Sequence, residues 1–107
     1  MVKSKIETYL GFCIKARKIA LGSGAIDTLR GGVRLIIVDG AAAKNSQKLA
    51  LKFKTRFSCP IIVCKSGFEN AVNKVGCKIA AVTDGELAKA ILNNLDENYE
   101  LYAGGSF

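Results

Sequence analysis

The stretch GSGAIDTLRGG, from Gly22 to Gly32, has the composition of a loop that holds phosphate groups. Glycine-rich turns cradle nucleotide phosphates when their backbone N–H groups point at the ligand. A dinucleotide-binding turn requires the pattern G-x-G-x-x-G, but Asp27 stands at the place of the third glycine. No Gly-Lys-Ser/Thr sequence closes the turn as in a P-loop. The turn therefore argues against a nucleotide-dependent enzyme.

Other residues that could carry out catalysis are isolated. The sequence contains no histidine, so the commonest general base is missing. Asp39 follows an apolar run, which is a frequent catalytic position in α/β proteins, but it stands alone. Cys64 is followed by Lys65 and Ser66, yet no partner that would activate its thiol can be identified. We predict that the protein is not an enzyme and uses no cofactor; an enzyme or small-molecule binder is the least favoured of three functional interpretations.

The cysteines could bind a metal ion or form disulfides, but their spacing favours neither. No two are separated by two residues, and zinc sites of the Cys/His type need such close ligand pairs. Each cysteine lies in an apolar segment, as in PIIVCK and LGFCIK. We predict small, buried, reduced side chains and no metal site. The residues concerned are Cys13, Cys59, Cys64 and Cys77.

The charge pattern indicates an anionic partner. The chain carries 16 Lys and Arg against 9 Asp and Glu, a formal net charge of +7. Residues 1–78 hold fifteen of the basic residues and four of the acidic ones, whereas residues 79–107 hold one lysine and five acids. A small, strongly basic domain is typical of proteins that bind nucleic acid.

The chain has no segment typical of membrane insertion or export. No apolar run approaches the roughly 18 residues of a membrane-spanning helix. Glu7 and Lys15 interrupt the N-terminal stretch where a signal peptide has its apolar core. We therefore expect a soluble, monomeric protein of the cytoplasm.

Hydrophobic periodicity predicts alternating helices and strands, and hence a three-layer α/β domain with a small sheet between helices. Residues 1–95 form this domain, and the aperiodic residues 96–107 are predicted to be a frayed tail. Ser23 is a predicted N-cap for a helix that ends at Gly31-Gly32, and Ser66 with Glu69 forms a predicted capping box. The predicted helices are 3–16, 23–30, 44–57, 67–74 and 84–95, and the predicted strands are 19–21, 34–39, 60–64 and 78–82.

The predicted helix 44–57 has two different faces. Leu49, Phe53 and Phe57 recur every four residues and are expected to face the core. Lys44, Lys48, Lys52 and Arg56 recur at the same interval on an adjoining face. We predict that this basic row is mostly solvated, and that it contributes at most non-specific phosphate contacts to RNA binding.

Several segments together resemble the kink-turn-binding ribosomal proteins (the "L-seven-Ae" family), especially its small bacterial YlxQ-like members. They are LGFCIKARKIALG, RLIIVDGAAAKNSQK, CPIIVC and AVNKVGCKIAAVTDGELAKAIL, and the likeness covers roughly residues 6–95. The resemblance implies an α-β-α sandwich around a four-stranded mixed sheet. It also implies binding to the sharply bent loop of a kink-turn through the start of the second helix and the loop after the CPIIVC-type strand.

The family's recognition helix is degenerate in this sequence. In the family the start of this helix typically carries a Glu that accepts a hydrogen bond from a guanine and a Lys that faces a phosphate. In this sequence Gly24 and Asp27 stand at approximately these two positions. The Leu-Gly step of the second loop corresponds to Phe68-Glu69. The resemblance and the neighbouring basic residues give the predicted RNA-binding set of Lys18, Gly22, Ser23, Gly24, Asp27, Arg30, Lys44, Lys65, Ser66 and Phe68.

These observations favour an RNA-binding, ribosome-associated protein with a weakened preference for kink-turns. Its expected partners are ribosomal RNA and ribosomal proteins. The alternative is a protein-interaction or assembly module on the same fold that has lost kink-turn binding.

Overall fold

Helices and strands alternate along residues 4–104, the part of the chain that the computed structural model describes. The longest helix has 14 residues, and no helix in this part of the chain is long and apolar enough to cross a membrane. The helices are α1 (Lys5–Lys15), α2 (Ser23–Asp27), α3 (Lys44–Phe57), α4 (Phe68–Ala71) and α5 (Gly85–Leu92); the strands are β1 (Ile19–Leu21), β2 (Leu35–Asp39), β3 (Ile61–Cys64), β4 (Ile79–Val82) and β5 (Tyr99–Leu101).

The strands form one mixed sheet with the order β1-β4-β2-β3-β5. The neighbours β2 and β3 are parallel, and the three other pairs are antiparallel. All residues of β2 and β4 are buried, because helices cover both faces of the sheet. The predicted α-β-α sandwich is confirmed, with five strands instead of four.

The fifth strand comes from the segment predicted to fray, and for residues 96–104 that prediction is wrong. Tyr99 pairs with Cys64 of β3 and is almost fully buried. The Asp96 carboxylate accepts hydrogen bonds from the backbone N–H groups of Asn98 and Tyr99 and from the Ser4 hydroxyl. A strand of three residues is too short to show hydrophobic periodicity in the sequence. Residues 99–101 form a strand only because they pair with β3. Residues 105–107 of the predicted tail lie outside the described residues.

Alternate residues of the central strand β2 enter two separate cores. Leu35 and Ile37 join the core beneath α1, α4 and α5, whereas Ile36 and Val38 join the core beneath α2 and α3. We call these two sides of the sheet the α1 face and the α3 face. All four cysteines are buried, as predicted, and three of them lie in the core of the α1 face.

The glycine turn forms a shorter helix than the sequence predicts. Gly22, with φ of 92°, occupies the N-cap position, and no side chain caps α2; the predicted cap at Ser23 is therefore wrong. The helix ends after five residues at Asp27. The Arg56 guanidinium donates to the carbonyl oxygens of Asp27 and Leu29 at 3.2 and 2.6 Å. Because α2 ends at Asp27, these carbonyl oxygens have no hydrogen-bond partner from a further turn of helix, and Arg56 supplies one.

The predicted capping box at Ser66 is also wrong, since Gly67 in the left-handed region is the N-cap of α4. Ser66 instead donates its backbone N–H and its hydroxyl to the Asn98 side chain, both at 3.0 Å. The capping box of the structure lies at the start of α1, between Ser4 and Glu7. Helix α5 is capped by Asp84, which accepts from the Leu87 N–H.

Candidate nucleic-acid interface

Three loops that are distant in sequence meet at one edge of the sheet, which we call the carboxyl edge. They follow β1 (Gly22–Gly24), β2 (Gly40–Lys44) and β3 (Lys65–Phe68). The strand register places these loops together, because Val38 of β2 lies opposite both Val63 of β3 and Ile79 of β4. The Gly22 N–H donates to the carbonyl oxygen of Ile79 at 2.9 Å, which ties the glycine turn to the same edge. Seven of the ten predicted RNA-binding residues are on these loops.

Three predicted residues lie elsewhere. Lys18 precedes β1, and its carbonyl oxygen accepts from the Thr83 N–H after β4, which is the opposite edge of the sheet. Arg30 follows Leu29, which the last turn of α3 binds through Arg56, so it lies away from the carboxyl edge. Asp27 is the last residue of α2, at the opposite end of the helix from Gly22 and the carboxyl edge. The structure does not bring Lys18 or Arg30 to the predicted site.

The loop after β3 is used largely for internal contacts. The Phe68 side chain is fully buried, so an RNA contact at this residue would involve its backbone, which lines the cleft described below. An apolar residue at the first position of a short helix is drawn into the core of the α1 face. The Lys65 ammonium pairs with Glu100 of β5 at 2.8 Å, with both side chains more than half exposed. This ion pair and the Ser66–Asn98 hydrogen bonds fix the loop against the C-terminal segment.

A cleft of about 300 Å³ opens at the carboxyl edge beside this loop. Lys78 crosses it, with its ammonium 3.0 Å from Glu69 Oε1 and 3.5 Å from Asp39 Oδ2. A hydrogen bond from Lys78 and its positive charge hold the pKa of Glu69 below the ordinary value, and the hydrogen bond to Glu69 raises the pKa of Lys78. The residues that line the cleft are Asp39, Ala41, Lys65, Ser66, Gly67, Phe68, Glu69, Asn70 and Lys78.

Asp39 has a structural role in this cleft. Its side chain is only 8% exposed and accepts the Ala41 backbone N–H at 2.8 Å, which closes the turn after β2. Lys78 supplies the second partner. Sequence analysis missed the pair of Glu69 and Lys78, because the two residues lie on different elements and only the antiparallel return of β4 brings them together.

Asp27 is bound by Arg56 and does not face a ligand alone. The Asp27 carboxylate accepts from the Arg56 guanidinium at 2.9 Å, and the same guanidinium lies 4.8 Å from the ring centroid of Phe57. Arg56 is thereby withdrawn from the predicted basic row. Lys44, Lys48 and Lys52 are exposed and have no ion-pair partner among residues 4–104.

A groove runs between α2 and α3 beside this row. The groove is a cavity of about 230 Å³ lined by both helices, and a second cavity of about 400 Å³, lined by α3 residues alone, adjoins it at Leu49 and Lys52. Around Gly24 no heavy atom lies within 4 Å of where a Cβ would stand. The groove wall is therefore low at the glycine turn. The residues that line the two cavities are Ser23, Gly24 and Asp27 from α2 and Asn45, Lys48, Leu49, Lys52 and Phe53 from α3.

Charge is distributed unequally between the two faces of the sheet. Residues 22–64, which form the α3 face and two central strands, carry seven Lys and Arg against two acids. Both acids, Asp27 and Asp39, are in ion pairs. The remaining described residues carry eight Lys and Arg against seven acids. The segment that contains α2 and α3 is therefore the strongly basic part of the chain.

The cysteines are poor nucleophiles and metal ligands in this environment. Burial raises the pKa of the Cys64 thiol, and it raises the pKa of Cys13 to about 11. A thiol with a raised pKa stays protonated at neutral pH, and the thiolate is the reactive form. Within residues 4–104, no group of three or more His, Cys, Asp or Glu side chains is arranged to hold a metal ion.

Comparison with known proteins supports the fold and leaves the site to be interpreted from its own geometry. No protein-family model matches the chain, and no curated protein matches it. A solved structure from Bacillus halodurans C, described as a protein with unknown function, matches with a TM-score of 0.73 and 21% sequence identity. The match covers 89% of this chain and 100% of the other chain. At this identity the likeness concerns the fold alone.

Proposed function

We propose that the protein binds structured RNA, and ribosomal RNA in particular, in the cytoplasm. The observation that carries this proposal is the charge asymmetry: the segment 22–64, which includes α2 and α3, carries seven Lys and Arg against two acids that are both ion paired. Uncompensated positive charge on one side of a small domain attracts a polyanion and orients it. The resemblance to kink-turn-binding proteins points to RNA as that polyanion. Free, buried cysteines are consistent with a reducing compartment.

The cleft at the carboxyl edge is suited to bases that have left a helical stack. Lys65 and Lys78 supply donors, whereas Glu69 supplies carboxylate acceptors and Asn70 an amide. Sequence-specific RNA recognition targets loops and bulges, whose splayed bases expose their hydrogen-bonding edges. The cleft volume of about 300 Å³ leaves room for such a base.

We propose further that the preference for kink-turns is weak. Gly24 offers no side-chain acceptor at the start of α2. Asp27 brings a negative charge, and Arg56 holds that charge in an ion pair. A helix of five residues also has few aligned peptide dipoles. Any affinity for RNA near the start of α2 therefore comes from the neighbouring lysines and not from the residues of the glycine turn.

The engagement of Asp27 by Arg56 favours one alternative, a protein-interaction or assembly module. In that case the residue that takes the place of the family's phosphate-facing Lys is engaged in an internal ion pair. The basic α3 face then serves an acidic protein surface. The two functions predict different results for RNA binding at moderate salt: an RNA-binding protein binds, and a protein-interaction module does not.

The test is a titration of three labelled RNAs, namely a kink-turn, an unbent duplex of equal length and a single strand. Binding is measured at about 50 and 200 mM salt, since phosphate contacts weaken steeply over this range. We expect both structured RNAs to bind with similar affinities that fall together with salt. Absence of binding to all three at 50 mM would reject the proposed function and favour the protein-interaction alternative.

A further inference from the structure

The basic row of α3 has a regular geometry that internal packing fixes. Lys44, Lys48 and Lys52 are four residues apart, so at 1.5 Å per residue they stand about 6 Å apart along the helix. Phe53, which is 1% exposed, anchors α3 in the core of the α3 face. The row therefore points outward in a defined direction. Its charges are available for a partner, since no ion pair is made by them within residues 4–104.

The row borders a groove at its C-terminal end. Lys52 lines the wall that α3 contributes, Lys48 lines the adjoining depression on α3 itself, and the low opposite wall at Ser23 and Gly24 leaves the groove open to an approaching backbone. Asp27, with its side chain 73% exposed, stands at the end of the groove near Arg56. Arg56 pairs with Asp27 there, so the attraction for a polyanion is concentrated on the three lysines that are unpaired within residues 4–104, namely Lys44, Lys48 and Lys52.

The chemistry of the groove favours a double-helical RNA over a single strand. Single-strand binding relies on exposed aromatic rings on which bases stack. The one aromatic residue among the lining residues, Phe53, is buried beneath the groove. Lysine ammonium groups are point charges that contact phosphates without reading bases. Their spacing is comparable with the distance between successive phosphates of one strand.

We propose that Lys44, Lys48 and Lys52 form a phosphate clamp that holds one strand of an RNA stem along α3, beside the groove between α2 and α3. This inference rests on the proposed RNA-binding function and adds a second surface to it. The carboxyl edge binds the irregular part of the RNA, and the clamp binds the regular helix beside it. The row is therefore more than the solvated face that its sequence pattern predicts, because the structure adds the groove.

The experiment compares two double variants with the same loss of charge. Lys48→Gln/Lys52→Gln removes the clamp, whereas Lys54→Gln/Lys89→Gln removes two exposed lysines that do not line the groove. The probe is a labelled RNA duplex without a bulge. We expect the clamp variant to raise Kd at least tenfold at about 50 mM salt and to lower the salt slope by about 2, one unit for each phosphate contact. The control pair should change Kd less than threefold.

Each result decides the matter. A loss below tenfold in the clamp variant, or an equal loss in the control pair, overturns the phosphate clamp while leaving RNA binding at the carboxyl edge intact. Failure of the unmodified protein to bind the duplex while it binds a kink-turn also overturns the clamp alone. Failure to bind any RNA rejects the proposed function itself. Thermal unfolding followed by circular dichroism verifies that both variants keep the fold.

Discussion

The two faces of the sheet bury similar apolar cores but differ in how they treat charge. On the α1 face and in its loops, acids and bases are nearly equal in number, and pairs such as Lys65–Glu100 and Lys78–Glu69 link neighbouring elements. On the α3 face the single exposed acid, Asp27, is used to bind Arg56, and the lysines beside it stay unpaired. Charge that the fold does not use is concentrated on one side. That concentration is what we interpret as the binding surface.

The largest expected effect tests whether α3 is needed as a rigid support. Phe53→Ala removes a buried ring beneath the lysine row, and Phe68→Ala removes one from the opposite core. Each should lower the free energy of unfolding by about 3–5 kcal/mol, as for other buried aromatic truncations. Urea denaturation measures both. Under conditions where both variants remain folded, we expect Phe53→Ala to lower the affinity for RNA more than Phe68→Ala does. An equal loss of affinity would show that RNA binding does not depend on the α3 face.

The second effect concerns the degenerate start of α2. The double substitution Gly24→Glu/Asp27→Lys restores the residue types that the resemblance implies, and open space at Gly24 accommodates the new side chain. We expect the affinity for a kink-turn to rise about tenfold or more over that for an unbent duplex, as one good base contact contributes about 1–3 kcal/mol of discrimination. Asp27→Asn alone serves as the control, since it removes charge without adding a cation. No gain in selectivity would favour the protein-interaction alternative.

Smaller effects should distinguish the ion pairs of the two faces. Arg56→Ala removes the contact with Asp27 and two hydrogen bonds to backbone carbonyls. We expect a loss of about 1 kcal/mol in unfolding free energy, because the site is partly exposed and solvent screens its charges. Lys65→Ala removes only an exposed pair with Glu100 and should cost less than about 0.5 kcal/mol. Urea denaturation of both variants measures the difference, and equal losses would contradict it.

The smallest effect is a pH dependence at the carboxyl edge. Because the pKa of Glu69 is lowered by Lys78, its ion pair stabilises the fold above the ordinary Glu value of about 4.3 and is lost as the pH falls through the folded value. The pKa of Lys78 is raised, so its contribution is present below about 10.4 and is lost as the pH rises through the folded value. Glu69→Gln should therefore destabilise slightly at neutral pH, and the difference should shrink as the pH falls below about 4.3. Thermal unfolding across this range tests it, and a difference independent of pH would refute it.

Long periodic elements could be predicted from the sequence, and elements created by pairing could not. Helix α3 has the predicted bounds 44–57, because its apolar and basic rows extend over several turns. Strand β5 was missed, because its three residues are a strand only through their bonds to β3. The predicted caps at Ser23 and Ser66 failed since Gly22 and Gly67 adopt the positive φ values that turn the chain.

The candidate site was predicted in part for a related reason. Gly22–Gly24, Lys44 and Lys65 lie at one edge of the sheet, because β1, β2 and β3 all end there. Lys18 was placed with them by its nearness in sequence, yet β1 runs between Lys18 and Gly22 and carries them to opposite edges. The role of Arg56 could not be seen either, since its partners at 27 and 29 are reached only after α3 packs on the sheet.

The central claim is that RNA lies on the α3 face and its carboxyl edge, and NMR chemical-shift mapping tests it most directly. The protein labelled with 15N is titrated with an RNA that joins a kink-turn to a regular stem. We expect amide shifts at Gly22–Gly24, along Lys44–Lys52 and around Lys78, with few on α1 and α5. Shifts that cluster on α1 and α5 instead, with the α3 residues unchanged, would contradict it.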